Sequence, residues 1–418
     1  MRRIIGILLL APAAALAAPQ PPAFTADDAV KLAIRQNPRL SAAVRDVNAA
    51  GLGVRSARAL VNPDLVFAPA ITRGGSDEEF IAQQRLELNG TRSARTGVAN
   101  AQLRRTQAEA VVALRDLVFE TRSAYHELAR AQELRSLAQD LLKSAEEFDR
   151  ITGRQVELGT RPGIEQTQTG IEVTRARQQT ALAESRVATA LAALNTLLGR
   201  APTEAVGPLP ALAFTAEPVE REAALQTALA ARAEITAQEA GREAFQQEAR
   251  LARAEGRPDI APQFRAESVT RGFQSGIGVA ITLPLLDHGG RRNRIRQAEE
   301  LARAQADRAE AARSQVRQEV ESALARLQAL EAVAKGYQQG VLEQTRRLLD
   351  ASRTGFRTGA TSIVALLEAQ RTYRSVLTEY TNALVDHSIA RAELERALGS
   401  VPADLLPAPT SGGRTTTR

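Results

Sequence analysis

The chain is written twice. Gly159 and Gly359 stand 200 positions apart, as do Gly199 and Gly399, and Gly90 and Gly290. Nearer the start of each half the offset is 195, pairing Pro63 with Pro258 and Leu40 with Ile235. A repeat this long is not a short solenoid unit. It predicts two similar structural halves and a pseudo-symmetric product. Pro63 to Gly90 spans 27 positions and Pro258 to Gly290 spans 32, so the drift in offset is expected within the second strand region.

Both halves run through the same order of elements. Thr25-Ala26-Asp27-Asp28 reads as a helix start with Thr25 as N-cap. Helical periodicity then continues to about Leu60, with a kink expected at Asn37-Pro38. Asp64 to Thr72 and Phe80 to Leu88 read as strands around the turn Arg73-Gly74-Gly75-Ser76-Asp77, a β-hairpin at about 64–88. The second half matches it with Asp259 to Val269 and Ser275 to Leu286 around Arg271-Gly272, a hairpin at about 259–286. In its last strand Ile277, Val279, Ile281, Leu283 and Leu285 alternate with Gly276, Gly278, Ala280, Thr282 and Pro284. One face is apolar and the other small or polar. Strands of about 9 to 11 residues are long enough to cross a bilayer when tilted.

Each hairpin leads into a long proline-free helical segment, about 91–158 and about 291–358. At 1.5 Å per residue each would reach roughly 100 Å. Val111, Leu114, Val118, Tyr125 and Leu128 follow the 3-4 spacing of coiled coils. Such a helix must pack laterally on others like it. Gly159 and Gly359 fit helix C-caps that need positive φ, and return helices follow at about 162–198 and 360–398. The prolines of 201–218 mark a linker, and the Pro-, Thr- and Gly-rich tail, 400–418, is expected to be disordered. Met1-Arg2-Arg3, an apolar run from Ile4 to Ala15 and Ala15-Leu16-Ala17 predict a signal peptide at 1–17. The two structural repeats are then 18–200 and 219–399.

Composition agrees with long helices. Aromatic residues are only 3%, there is no Trp, and basic and acidic residues interleave along the helices despite a net charge of +6. No basic block with interleaved aromatics suggests nucleic-acid binding. The absence of cysteine excludes disulfides, thiolate metal sites and a lipid-bearing cysteine. His126, His288 and His387 lack the short spacing of a metal site. No nucleophile elbow, P-loop or dinucleotide motif is present, so neither an enzyme nor a cofactor is expected.

This order of elements resembles the TolC-type outer-membrane efflux family across about Phe24 to Gly399. Four stretches carry the likeness. Leu283 to Arg291 is similar to the exit from the second hairpin, and Phe356 to Gln370 to the second helical tip. Val156-Glu157-Leu158-Gly159 with Ile164-Glu165 is the first tip. Glu87-Leu88-Asn89-Gly90-Thr91-Arg92 is similar to the E-x-G-G-K-R segment of the heavy-metal efflux (CzcC-like) subgroup, with Asn89 and Thr91 departing from it. The resemblance implies a mainly α protein with a small β part. Its duplicated coiled-coil hairpins would carry two β-hairpins, four strands of a trimeric twelve-stranded outer-membrane barrel. It implies a channel-tunnel reaching into the periplasm, fed by a periplasmic adaptor and an RND-type inner-membrane transporter. Four strands cannot close a barrel in lipid, so association with further chains is required on physical grounds alone.

The family closes its tunnel at the helical tips, which makes Glu368, Glu165 and Arg161 the gate candidates. Where relatives place another acid this chain has Ala365. Gly159, Thr160, Gly359, Ala360, Thr361 and Ser362 are the candidate adaptor contacts. The bland reading of the two acids is a solvated helix face, and that of the glycines is a C-cap. The alternative function is a secreted periplasmic coiled-coil adaptor or scaffold without a barrel, which would share the helices but not two matching hairpins.

Overall fold

The computed structural model describes residues 23–72, 75–216, 218–269 and 272–400. The expected signal peptide, the tail beyond Ser400 and the centres of both hairpin turns lie outside them.

Helices α1 (Ala26–Gln36) and α2 (Pro38–Arg58) open the first half. Thr25 Oγ1 accepts from the Asp28 amide and Asp28 Oδ2 accepts from the Thr25 amide, a reciprocal capping box. At the kink, Asn37 Oδ1 accepts from the Arg39 amide, while its Nδ2 donates to the Leu197 carbonyl at 2.8 Å. Strands β1 (Asp64–Thr72) and β2 (Gly75–Gln83) follow, then α3 (Thr91–Glu157) and α4 (Gly163–Leu197). The second half repeats them as α5 (Arg221–Ala231), α6 (Ala233–Ala254), β3 (Asp259–Val269) and β4 (Gly272–Thr282). It closes with α7 (Gly290–Gly336), a π-turn at Tyr337–Val341, α8 (Leu342–Arg357) and α9 (Ile363–Ala397).

Pseudo-symmetry extends to single contacts. Arg232 occupies the kink between α5 and α6 and donates to the Ala397 carbonyl at 3.0 Å, the job Asn37 does toward Leu197. Gly199 and Gly399 close the return helices with φ of 70° and 73°. A Cβ on Gly199 would sit 2.7 Å from the Gln36 carbonyl oxygen, and one on Gly399 would sit 3.3 Å from Ala231. Both conformation and close approach require glycine there.

Three apolar clusters hold the helices. Val30, Leu114, Leu128, Leu194 and Leu198 centre the first half, and Val316, Val320, Leu324 and Leu394 the second. A third, at the far ends of the long helices, joins the halves through Phe148, Leu349, Phe356, Ile363 and Leu366. A buried charge network adds to the junction. Arg115 of α3 donates to Glu234 of α6 at 2.5 Å, and Arg232 contacts both Glu234 and Glu319 of α7. Burial raises the Glu234 carboxyl, but Arg232 and Arg115 outweigh it and hold the group below its ordinary value.

The four strands form one antiparallel meander in the order β1-β2-β3-β4. Register puts Leu65 and Phe67 of β1, Phe80 and Ala82 of β2, Pro262 and Phe264 of β3, and Ile277 and Val279 of β4 on one face. The opposite face carries Gln83, Gln263 and Gly278, with Glu79 paired to Arg265 at 3.0 Å. The apolar face is largely exposed: Ile277 is 91% exposed.

Three expectations are corrected. β2 begins at Gly75 and ends at Gln83, not Phe80 to Leu88, and β4 spans Gly272–Thr282, not Ser275 to Leu286. Thr72 pairs with Gly75 and Val269 with Gly272, so polar residues expected in turns belong to the ladder. Secondly, the second long helix is interrupted by the π-turn, where Gly340 adopts φ 152°. Thirdly, the structural partner of Gly90 is Gly289, not Gly290; both are left-handed N-caps, with φ of 91° and 85°. The last two share one cause. From Gly290 to Arg357 the chain runs 68 residues, one more than α3's 67. A π-turn absorbs one extra residue without changing the helix's end points.

Candidate functional site: the helical tips

Both tips are built by the same local rule. At the first, the Gly159 amide donates to Val156 and the Thr160 amide to Gln155, both at 2.9 Å, with Gly159 at φ 70°. At the second, Gly359 donates to Phe356 and Ala360 to Gly355, with Gly359 at φ 79°. These paired bonds satisfy carbonyls that a helix end would otherwise leave open. Thr160 Oγ1 donates to the Gln155 carbonyl at 2.8 Å, and Ser362 Oγ accepts from the Ala365 amide as N-cap of α9. Leu158, Ile164 and Val364 remain exposed around these turns.

The two tips are joined by Arg161. Its Nη1 donates to Glu165 Oε2 at 2.8 Å and its Nη2 to the Phe356 carbonyl at 3.4 Å. Its guanidinium lies 4.3 Å from the centre of the Phe356 ring, and that ring meets Phe148 edge-on at 6.2 Å. Arg161 and Glu165 are 13% and 18% exposed. Within the chain the charge of Glu165, a gate candidate, is compensated by Arg161. Glu368 differs. It is 69% exposed and only 3.7 Å from Arg371, which donates to Glu172 of α4 at 2.8 Å. The structure thus separates the candidates into an inter-tip clasp (Arg161, Glu165) and an exposed acid (Glu368). Phe356, which in sequence marks only the start of the second tip stretch, is the centre of the clasp.

His126 and His387, far apart in sequence, line one cavity with Asp27, Glu395, Arg122 and Arg391. The arginines argue against a cation, and among the described residues no three His, Cys, Asp or Glu converge as metal ligands. Burial first, then the charge of Arg122, push His126 down to about 4. Below an unfolded value near 6.5 the unfolded chain gains a proton that the folded chain refuses, so stability is lost as pH falls toward 4. Thermal melts at pH 7 and 4.5 should show a loss of about 2–3 kcal/mol from this site. His126→Gln should flatten that part of the profile; an unchanged slope would exclude His126 as its source.

A family model described as outer membrane efflux protein matches residues 29–200 and 224–400. Over 388 residues, 90% of either chain, this protein is 28% identical to the cobalt-zinc-cadmium resistance protein CzcC of Cupriavidus metallidurans. The outer membrane protein VceC of Vibrio cholerae has the same fold, with TM-score 0.75 at 19% identity, covering 90% of this chain and 96% of that one. The CmeC outer membrane channel of Campylobacter jejuni gives 0.75 at 15%, covering 95% and 94%. The open state of the MtrE outer membrane channel of Neisseria gonorrhoeae gives 0.74 at 21%, covering 90% and 88%.

Proposed function

The chain belongs to the outer membrane efflux protein family, and from that premise we propose that it is the outer-membrane channel-tunnel of a tripartite export system. The repeats 18–200 and 219–399 would each supply one hairpin and one helical pair. The observation that carries the reading is the sheet: four strands with free edges at β1 and β4 and a bare apolar face, mounted on helices roughly 100 Å long. Free edges and apolar exposure are both untenable in water but natural once the sheet closes within lipid. In the meander β4 runs antiparallel to β1, so copies arranged in a ring can join β4 to β1 of the next. A homotrimer gives twelve strands, four from each chain. The adaptor alternative fits poorly, because a soluble scaffold would have to cover this face. Pores in planar bilayers from a detergent-purified oligomer are expected; a monomer freely soluble in periplasmic extract would sink the reading.

Metal cations are the proposed cargo, delivered by an RND-type inner-membrane pump through a periplasmic adaptor that meets the tips at Gly159, Thr160 and Gly359 to Ser362. The CzcC relative, named for cobalt, zinc and cadmium resistance, supports this class. Exposed Glu368 from each chain would form an acidic ring at the gate. Glu368→Ala should lower the cation-to-anion permeability ratio about twofold or more; an unchanged ratio would remove Glu368 from the gate. Deleting the gene should sensitise cells to divalent metals, and sensitivity to drugs alone would reassign the cargo.

A further inference from the structure

The exposed apolar row of β4 does not stop with the strand. Ile277, Val279 and Ile281 are followed by exposed Leu283, Leu285 and Leu286. An eleven-residue strand at about 3.3 Å per residue, tilted by about 40°, rises roughly 28 Å, about the thickness of the hydrocarbon layer. The leucines past Thr282 therefore fall at the lipid boundary on the helical side. Leu60 before β1 and Leu88 after β2, at the helical end of the strands, are exposed as well. Edge-to-edge closure of the barrel uses backbone groups and leaves these side chains outside.

Arginines begin where the leucines end. Arg55 and Arg58 close α2, and Arg292 and Arg296 lie one turn apart near the start of α7, all exposed. Other arginines of this region are compensated: Arg95 by Glu87, Arg294 by Glu255 and Arg253 by Glu299. Among the described residues no carboxylate lies within 4.0 Å of Arg55, Arg58, Arg292 or Arg296. Arg292 and Arg296 flank a concavity with Asp287, Gly289 and Ile295. The Asp287 carboxylate there accepts from the Gly289 and Arg291 amides. Asp287 thereby supplies the anion that the α7 N-terminus favours, and its charge also faces Arg291 and Arg292.

We propose that this leucine-arginine collar is a docking surface for anionic phospholipid of the periplasm-facing leaflet, with the leucines entering the acyl boundary and Arg292 and Arg296 meeting headgroup phosphate. Apolar side chains backed by exposed cations are what binds a protein to an anionic interface. The collar is continuous with the lipid face of the sheet. The proposal rests on the outer-membrane reading above.

The test uses the purified oligomer and native mass spectrometry after exchange into phosphatidylglycerol or phosphatidylcholine. Wild type should retain phosphatidylglycerol preferentially. The double variant Arg292→Gln, Arg296→Gln should lower that retention about tenfold, at a few-fold per cation near a lipid surface, without changing phosphatidylcholine retention. Salt at 0.5 M should erase the wild-type preference, which decides the matter even if the variant assembles poorly. Equal retention of the two lipids, or an unchanged variant, overturns the proposal. So does equal competition by millimolar inorganic phosphate, which would mark a free-anion site. Failure of the channel reading looks different: no pores in phosphatidylcholine bilayers at all.

Discussion

Ile277→Arg is expected to abolish recovery of the assembled protein from outer membranes, while Gly276→Arg, one residue earlier, should leave it nearly intact. Ile277 is the central residue of β4, 91% exposed, and faces Phe264 across the ladder on the apolar side. An arginine on the lipid face at the bilayer midplane costs about 2–4 kcal/mol per chain. The cost recurs in every copy of a closed ring. Gly276 points to the opposite face beside Arg265, and a Cβ there would meet nothing within 4 Å. Quantitative blotting of heat-resistant oligomer in outer-membrane fractions measures both. A drop of tenfold or more for Ile277→Arg alone is expected. Equal losses would mean that the two faces do not see different solvents, and the lipid assignment of the sheet would fail.

That contrast is legible in the sequence alone, because a period of two assigns faces unambiguously once a strand is recognised. Where the strands stop is not. Gly75 to Asp77 look like turn residues by type, yet register carries the ladder to Gly75. Residue type reports local preference, whereas the end of a ladder is set by the partner strand. The caps at Gly159, Gly199, Gly359 and Gly399 are readable for the converse reason: a left-handed residue is a local demand that only a few side chains meet.

The repeat itself misleads at one point. Gly90 and Gly290 share the offset of the tips only because Gly289 and Gly290 are consecutive glycines. The true partner, Gly289, implies one extra residue somewhere before Arg357, and the helix accommodates it at Gly340. A single inserted residue leaves no compositional mark in a long polar helix. Long-range pairings are hidden for a similar reason. The 195-residue offset aligns Asn37 with Arg232, but their residue types hide the shared job, since they have no chemistry in common beyond a donor nitrogen. Glu87, part of the segment similar to the metal subgroup, is buried and holds Arg95, which in turn donates to the Ala57 and Ala59 carbonyls. That residue is accounted for by the strand-to-helix turn, so its presence alone says little about cargo.

At the candidate gate, Phe356→Ala is the substitution expected to have the largest effect. Phe356 is fully buried in the cluster that joins the tips, against Phe148, and beneath Arg161. Truncating a buried phenylalanine costs about 3–5 kcal/mol, and the perched guanidinium loses a further ~0.5–2 kcal/mol. The loss is local, since the cores around Leu128 and Val320 are separate clusters. The tips should therefore loosen while the oligomer still assembles. The expected readouts are higher single-channel conductance and faster trypsin cleavage at Arg154, Arg161 or Arg357. Arg161→Ala separates packing from charge. It leaves the Phe356 cluster in place, costs about 1 kcal/mol, and frees the Glu165 carboxylate. Cation selectivity should rise in Arg161→Ala, the opposite of the fall expected for Glu368→Ala. A Phe356→Ala channel with unchanged conductance and protease resistance would show that the clasp does not restrain the tips. A fall in cation selectivity in Arg161→Ala would show that Glu165 does not face the permeation path.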